Sequence, residues 1–421
     1  MHTSIDRDSL AARIGEDAIR QADDSDMVDQ LRPQLVVTPA TVEHVAQVMT
    51  WASAAGLHIV PRGNASKIGW GNPPTAVDII LETRRLNRVI EHAAGDMTAT
   101  VEAACTIADF QQVLAQQRQF LAVDPLWISR ATVGGVIATN DTGSLRLRYG
   151  GLRDQLIGLK VVLADGTIAR SGGKVVKNVA GYDLQKLMTG ALGTLGVIVE
   201  ATFRLYPYAV ATSNLSLPCE NIAAAQKALL SILDSTLVPT GMQIMASSEH
   251  PPRLDMRFEG LPEGIQAQVE QAIHIVGTSL QPVDDTIWLA REQLWNTQAG
   301  SLRCIAKLGI LPGDSVSCIE VLKRLASALR LHWSVVIQAT GLAFLELSGQ
   351  NEQVLLTAIL SLRSALAQSQ GHVSILECPT AMKMQLDVWG DAGDGLALMQ
   401  RVKQRFDPSM LLNPGRFVAR I

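Results

Sequence analysis

Two stretches decide the fold: Ala131–Gly143, reading ATVGGVIATNDTG, and Gly190–Leu205, reading GALGTLGVIVEATFRL. Both crowd glycine together with small residues. A chain does this where its backbone must press against something flat or anionic that larger side chains would hold away.

QLVVTPAT from Gln34 reads as a short strand. Thr41 then caps a helix whose apolar residues Val42, Val45, Met49 and Ala52 recur at helical spacing, and Gly56 ends it. The strand LHIVPRG delivers the chain into PRGNASKIGWGNPP, a loop of glycines and prolines with two cations, Arg62 and Lys67. The strand VDIILET follows, then a helix from Thr106 to about Gln117, and LIGLKVVLADGTIARSG forms a hairpin turning at Asp165-Gly166. From Ala209 to about Ile375, strands such as LDMRFEG and WSVVIQA alternate with helices such as AAAQKALLSILDS and EQVLLTAILSLRSALAQ, as in a second α+β domain. The last helix, DGLALMQRVKQRF, leads into the turn-rich DPSMLLNPGRF. Residues 1–30 read as a weakly amphipathic helix with an acidic lead-in, packed on the surface.

With 421 residues, 47% of them hydrophobic, the chain is long enough for two or three domains with real cores. A net charge of -4 leaves no basic surplus for nucleic acid or an anionic membrane surface. The first residues lack the basic and apolar regions of a secretory signal, and no stretch is apolar enough to span a bilayer. Cys105, Cys219, Cys304, Cys318 and Cys378 form no CxxC pair, and the histidines form no HxH or HExxH. That pattern argues for a reducing, cytoplasmic setting and against a zinc or iron–sulfur site, so no metal is expected.

The Rossmann GxGxxG is absent. Gly172-Gly173-Lys174 is followed by Val175, where a P-loop needs Ser or Thr. Two other segments remain for phosphate. Arg62 to Lys67 offer successive backbone N–H groups as an anion nest, with Asn64 and Ser66 side chains as further donors; the competing reading is a plain surface turn. Gly134 and Gly135 sit at the start of a short helix, where their N–H groups and the helix dipole would point at the same anion.

The blocks PRGxxSK, TVGGxIATNxxG, KNVAGYDLxKL, GALGTLGVI and FDPxxxLNPGR occur here in that order. Together they resemble the vanillyl-alcohol-oxidase, or PCMH-type, superfamily of FAD-linked oxidoreductases, and within it the FAD-binding E subunits of glycolate oxidase (glycolate dehydrogenase). The similarity is carried by Leu35 to Pro207 and by the final residues.

The resemblance implies an α+β fold: a lead-in at 1–30, a two-subdomain PCMH-type FAD-binding domain at 31–208, an α+β cap at 209–395 and a return segment at 396–421. It implies that Pro61, Arg62, Gly63, Asn64, Ala65 and Ser66 bind the FAD pyrophosphate. Thr132, Gly134, Gly135, Ala138, Thr139 and Gly143 would line the phosphate and ribityl path, and Gly190, Gly193, Gly196 and Ile198 would pass the adenine or flavin edge. It further implies a paralogous catalytic flavoprotein subunit and an iron–sulfur subunit as partners, a small 2-hydroxy acid as substrate, and an assembly in the cytoplasm or at the inner face of a membrane.

Two departures matter. Where relatives have a glycine-richer loop, this chain has Asn64 and Ala65, less free to take positive φ. Asn64 to Lys67 also offer no histidine for covalent attachment, so the FAD is expected to be non-covalent. The HxH pair of catalytic relatives is missing as well. Were the chain to act alone, His372 or Tyr182 would serve as base and Arg148 or Arg416 as carboxylate clamp. The bland alternatives are a structural histidine, a buried tyrosine and surface arginines. Stand-alone D-lactate-like dehydrogenase and non-catalytic scaffold remain the rival functions.

Overall fold

Thr41 accepts a hydrogen bond from the His44 N–H at 3.1 Å and so starts the helix Val42–Ala55; Gly56, left-handed at φ 65°, ends it. Val45, Val48, Met49 and Ala52 form its buried stripe. That helix is the crossover joining parallel strands Leu35–Val37 and Ile59–Arg62, which flank Ile79–Glu82 in a small sheet. The computed structural model describes residues 5–173, 182–296 and 302–421. It resolves into two compact units, one of Met1–Asp141, Gly151–Pro207 and Asp391–Ile421, the other of Thr142–Gly150 and Tyr208–Gly390.

The first unit adds to this sheet a five-stranded antiparallel one, in the order Val89–Ala93, Thr98–Glu102, Val197–Arg204, Leu156–Val162, Ile168–Gly172. The end of the second glycine-rich stretch is thus its central strand. Thr106 caps the helix Ile107–Ala115, and Asp165-Gly166 turns the hairpin as expected. Residues 5–30 depart from the surface helix expected of them. The helix is only Arg7–Ile14, with Leu10 and Ile14 buried, and Ile19–Gln21 adds an antiparallel strand to the small sheet beside Leu35–Val37. The apolar residues are too few for a longer helix but enough to anchor the segment in the core formed with Val45 and Met49.

The C-terminal residues return to this unit through buried charge. After the helix Leu396–Phe406, the Lys403 ammonium donates to Asp407 Oδ2 at 2.6 Å and to the Thr194 and Leu412 carbonyls at 2.8 and 2.9 Å. The Asp407 carboxylate also accepts from the Leu411 and Leu412 N–H groups. Leu412 then lies beside Ile59 as a parallel bridge.

The second unit is an eight-stranded antiparallel sheet, in the order Gln281–Val283, Ala211–Pro218, Arg253–Gly260, Gly241–Ser247, His332–Gln338, Leu342–Gly349, Leu302–Gly309, His372–Glu377. Alternate residues such as Met256, Ile244, Ile337, Leu345 and Ala306 share one core with the helices Ile222–Leu233, Pro262–Val276, Ser315–Leu329 and Glu352–Ala367. Residues of the opposite parity include buried polar groups. Asp255 accepts from Ser216 Oγ at 2.8 Å, Gln243 Nε2 at 3.2 Å and Arg253 Nε at 3.1 Å.

Asp407→Asn leaves the Lys403 ammonium buried without its counter-charge and is expected to destabilise the chain by about 3 kcal/mol. Denaturant unfolding measures this.

Candidate functional site

An open cleft of about 740 Å³ lies within the first unit, lined by the loop that follows Ile59–Arg62, the start of the helix Val133–Thr139, the glycine turn at Leu192–Gly196 and the returning C-terminal segment. Gly63 lets the first two meet. A Cβ there would stand 2.4 Å from Thr132 Oγ1 and 2.9 Å from Thr132 Cγ2, so glycine is required by close approach. Gly193 is required by conformation as well, with φ 70° and the Asn413 amide 2.9 Å from where its Cβ would be. Leu192, at φ 53°, shares that left-handed turn.

Ala65 also takes φ 56°, a conformation that costs an alanine about 1 kcal/mol. The expected reluctance of this glycine-poor loop is therefore overcome rather than avoided. Among the described residues, the N–H groups of Asn64, Ala65 and Ser66 donate to no protein acceptor. Three successive donors beside a left-handed residue make a concave anion receptor at the lip of the cleft.

The helix start works differently from the expectation. Gly134 N–H donates to the Ala103 carbonyl at 2.7 Å, and Gly135 N–H to its own cap, Thr132 Oγ1, at 3.3 Å. Residues 132–134 run antiparallel beside Ala103–Thr106, bridged at Thr106 and Thr132, so the pairing takes the Gly134 donor and the cap takes that of Gly135. What Gly134 supplies is proximity: its Cβ would stand 3.0 Å from that of Ala103.

Charged side chains at the cleft are likewise turned onto protein. The Arg62 guanidinium donates to Asp26 at 2.6 Å and to Glu82 at 3.0 Å. Lys67, almost wholly buried, reaches the Leu126 carbonyl at 3.2 Å and the Asp141 carboxylate at 3.3 Å, its ammonium 5.8 and 5.5 Å from the Trp70 and Trp127 rings. Arg416 donates to the Ile68 and Trp70 carbonyls and to Asn413 Oδ1, and burial lowers its pKa to about 10. The carboxylate-clamp role expected for Arg416 does not match this arrangement, since its guanidinium fastens the C-terminal segment to the loop.

Of the residues expected at a cofactor site, Pro61, Arg62, Gly63, Asn64, Ala65, Ser66, Thr132, Gly134, Gly135, Ala138, Thr139, Gly193, Gly196 and Ile198 line the cleft, and Gly143 and Gly190 do not. Gly190 donates its N–H to the Ile137 carbonyl at 2.9 Å, docking the turn on the helix. Gly143 belongs to Thr142–Gly150, which packs in the second unit, where Arg291 holds the Thr142 carbonyl at 2.6 Å. Among the proposed catalytic groups only Arg416 borders the cleft. Arg148 and His372 are exposed in the second unit, and Tyr182 is 89% exposed. Lys174 and most of the KNVAGYDL block, Lys177–Gly181, lie outside the described residues. Lining residues given no separate role from the sequence include Ala103, Leu192 and Asn413. The LNPGR block carried a signal for Asn413; nothing local marks Ala103.

Residues 33–172 match the family described as an FAD binding domain, and residues 381–417 match the C-terminal domain of FAD linked oxidases. These two segments of the chain are thus similar to FAD-linked oxidases. Glycolate oxidase subunit GlcD of Bacillus subtilis is 34% identical over 216 residues, 51% of this chain and 46% of that protein. The match thus spans about half the length of that relative. A D-2-hydroxyglutarate dehydrogenase of Xanthomonas citri pv. viticola is 28% identical across 91% of this chain and 89% of its own. The solved structure of p-cresol methylhydroxylase with substrate bound superimposes with a TM-score of 0.78 at 16% identity, over 97% of this chain and 95% of that one, and shows the shared PCMH-type α+β fold.

The cleft suits FAD chemically. The nest at Asn64–Ser66 offers N–H donors to a pyrophosphate, and the walls at Gly63, Ala103, Gly134 and Gly193 leave room that side chains would fill. Gly63→Ala is expected to displace the loop and lower FAD retention at least about tenfold. Adding Thr132→Ala removes both of the closest clashing atoms and should restore part of it, as read by flavin absorbance after gel filtration.

Proposed function

We propose that this chain is an FAD-dependent oxidoreductase acting on the CH–OH group of a 2-hydroxy acid, and that it serves as the FAD-binding subunit of a glycolate-oxidising assembly. The observation that carries the reading is the cleft itself, with its free backbone donors and side-chain-poor walls in a domain matched to FAD binding. Bound FAD would supply a two-electron acceptor for the hydride of the substrate carbon. This chain's Pro61–Ser66 loop would hold the pyrophosphate, and Gly193, Gly196 and Ile198 would flank the ring system or adenine.

Attachment is non-covalent in this reading, because no His, Cys or Tyr lines the described cleft. The charges there have protein partners, and the sequence has no HxH pair, so a general base is not supplied by the cleft's own residues. This favours a chain that works with a paralogous catalytic flavoprotein and an iron–sulfur subunit, passing electrons to an acceptor other than O2, in the cytoplasm or peripheral to a membrane. Among the described residues no helix is long and apolar enough to cross a membrane, and no His, Cys, Asp or Glu group could hold a metal ion.

One observation favours a second reading. The similarity to a D-2-hydroxyglutarate dehydrogenase runs nearly the whole length of both chains, as a stand-alone dehydrogenase of a D-2-hydroxy acid requires.

The purified chain is expected to be yellow and to release FAD on acid precipitation. Under anaerobic conditions, glycolate, D-lactate or D-2-hydroxyglutarate should bleach the flavin only after the partner subunits are added. Bleaching by the chain alone selects the stand-alone enzyme, and a colourless chain that takes up no FAD overturns both readings.

A further inference from the structure

The family match to the FAD-binding domain begins at residue 33, yet the loop at the cleft is anchored by a carboxylate that precedes it. Asp23 caps the short turn Asp24–Asp26, and its own N–H donates to Asp26 Oδ2 at 3.0 Å, which orients the Asp26 carboxylate inward. Asp26 is 1% exposed. It receives Arg20 through two hydrogen bonds of 2.6 and 2.7 Å and Arg62 through one of 2.6 Å. Arg62 in turn reaches Glu82, which also takes Arg84 at 2.8 Å. Hydrogen bonding to Arg20, reinforced by Arg62, holds the Asp26 carboxyl well below the usual carboxylate range.

Arg62 is the last residue of its strand and the first of the cleft loop. Its carbonyl is fixed by the Thr83 N–H at 2.9 Å, and its side chain is held between the carboxylates of Asp26 and Glu82. Three residues on, Ala65 holds its left-handed conformation, and such strain persists only where the flanking structure over-determines it. Freed from Asp26, the guanidinium would retain Glu82 alone and gain the freedom to move the start of the loop.

We propose that Asp26 is a positioning residue for the cofactor pyrophosphate: acting through Arg62, it fixes the Gly63–Ser66 loop in the shape that presents the Asn64, Ala65 and Ser66 N–H groups. The segment before residue 33 is thereby part of the cofactor site. This rests on the reading of the cleft as an FAD site.

The test is titration of the flavin-free full chain with FAD, followed by flavin fluorescence, alongside thermal unfolding without FAD. Asp26→Asn is expected to raise the Kd about tenfold or more. Leu10→Ala, a buried core change in the same N-terminal segment, is the structural control: it should lower the Tm while leaving the Kd within about twofold. In an Arg62→Gln background, Asp26→Asn should add less than about twofold, because the two residues act as one unit. Should Asp26→Asn fail to fold, Arg20→Gln at a half-exposed position serves instead and should raise the Kd in the same direction.

A wild-type Kd in Asp26→Asn, or in Arg20→Gln where that variant stands in, overturns the proposal. So does an equal loss of affinity in Leu10→Ala at matched Tm, or multiplicative effects of Asp26→Asn and Arg62→Gln. An unaltered chain that binds no FAD overturns the cofactor reading and this one with it, whereas normal binding by that chain confines failure to Asp26.

Discussion

The approach of Gly63 to Thr132 is the constraint on which the first unit's cleft depends. The backbone at the end of the strand Ile59–Arg62 meets the side chain of Thr132, the cap of the helix Val133–Thr139, with no side chain of its own between them. Elements on both sides hold that contact. Pairing of residues 132–134 with Ala103–Thr106 presents Thr132 from one side, and the clamp on Arg62 presents Gly63 from the other. The cost appears as left-handed backbone at Ala65 and Leu192, residues with a Cβ in a region that glycine occupies more cheaply.

Charge at the cleft is organised by the same logic. Arg62, Lys67 and Arg416 are all close enough to line it, and each is held by a carboxylate, a carbonyl or both. Burying a cation is tolerable only with such partners, and the arrangement leaves anion recognition to neutral backbone donors. Those donors are fixed and do not titrate in the ordinary pH range. A receptor of that kind would bind phosphate without contributing an acid or base, as the proposed cofactor-holding role requires.

Much of this was legible locally. Thr41, Thr106 and Gly56 are start and stop signals that act within a few residues, and the structure uses each of them so. The glycine-rich blocks and LNPGR marked the cleft because close backbone approach leaves a compositional trace. Long-range choices left none. Nothing in ATVGGVIATNDTG shows that Gly134 spends its N–H on Ala103, or that the chain leaves the first unit directly after Asp141 and takes Gly143 with it. The pairing of Asp26 with Arg62 spans 36 positions with no periodicity to announce it, and the acidic segment that contains it looks like a solvated lead-in.

The return of Asp391–Ile421 has a consequence for biogenesis. Asn413 and Arg416 complete a cleft whose other walls all precede Tyr208–Gly390 in the chain, so the ribosome makes the whole eight-stranded sheet before the last wall exists. At the usual pace of synthesis, about 5–20 residues per second, the glycine-rich walls wait many seconds for their closing piece. Completion of the cleft is therefore a late event in the life of this chain, and a truncated translation product would carry most of the glycine-rich motifs without the finished cleft.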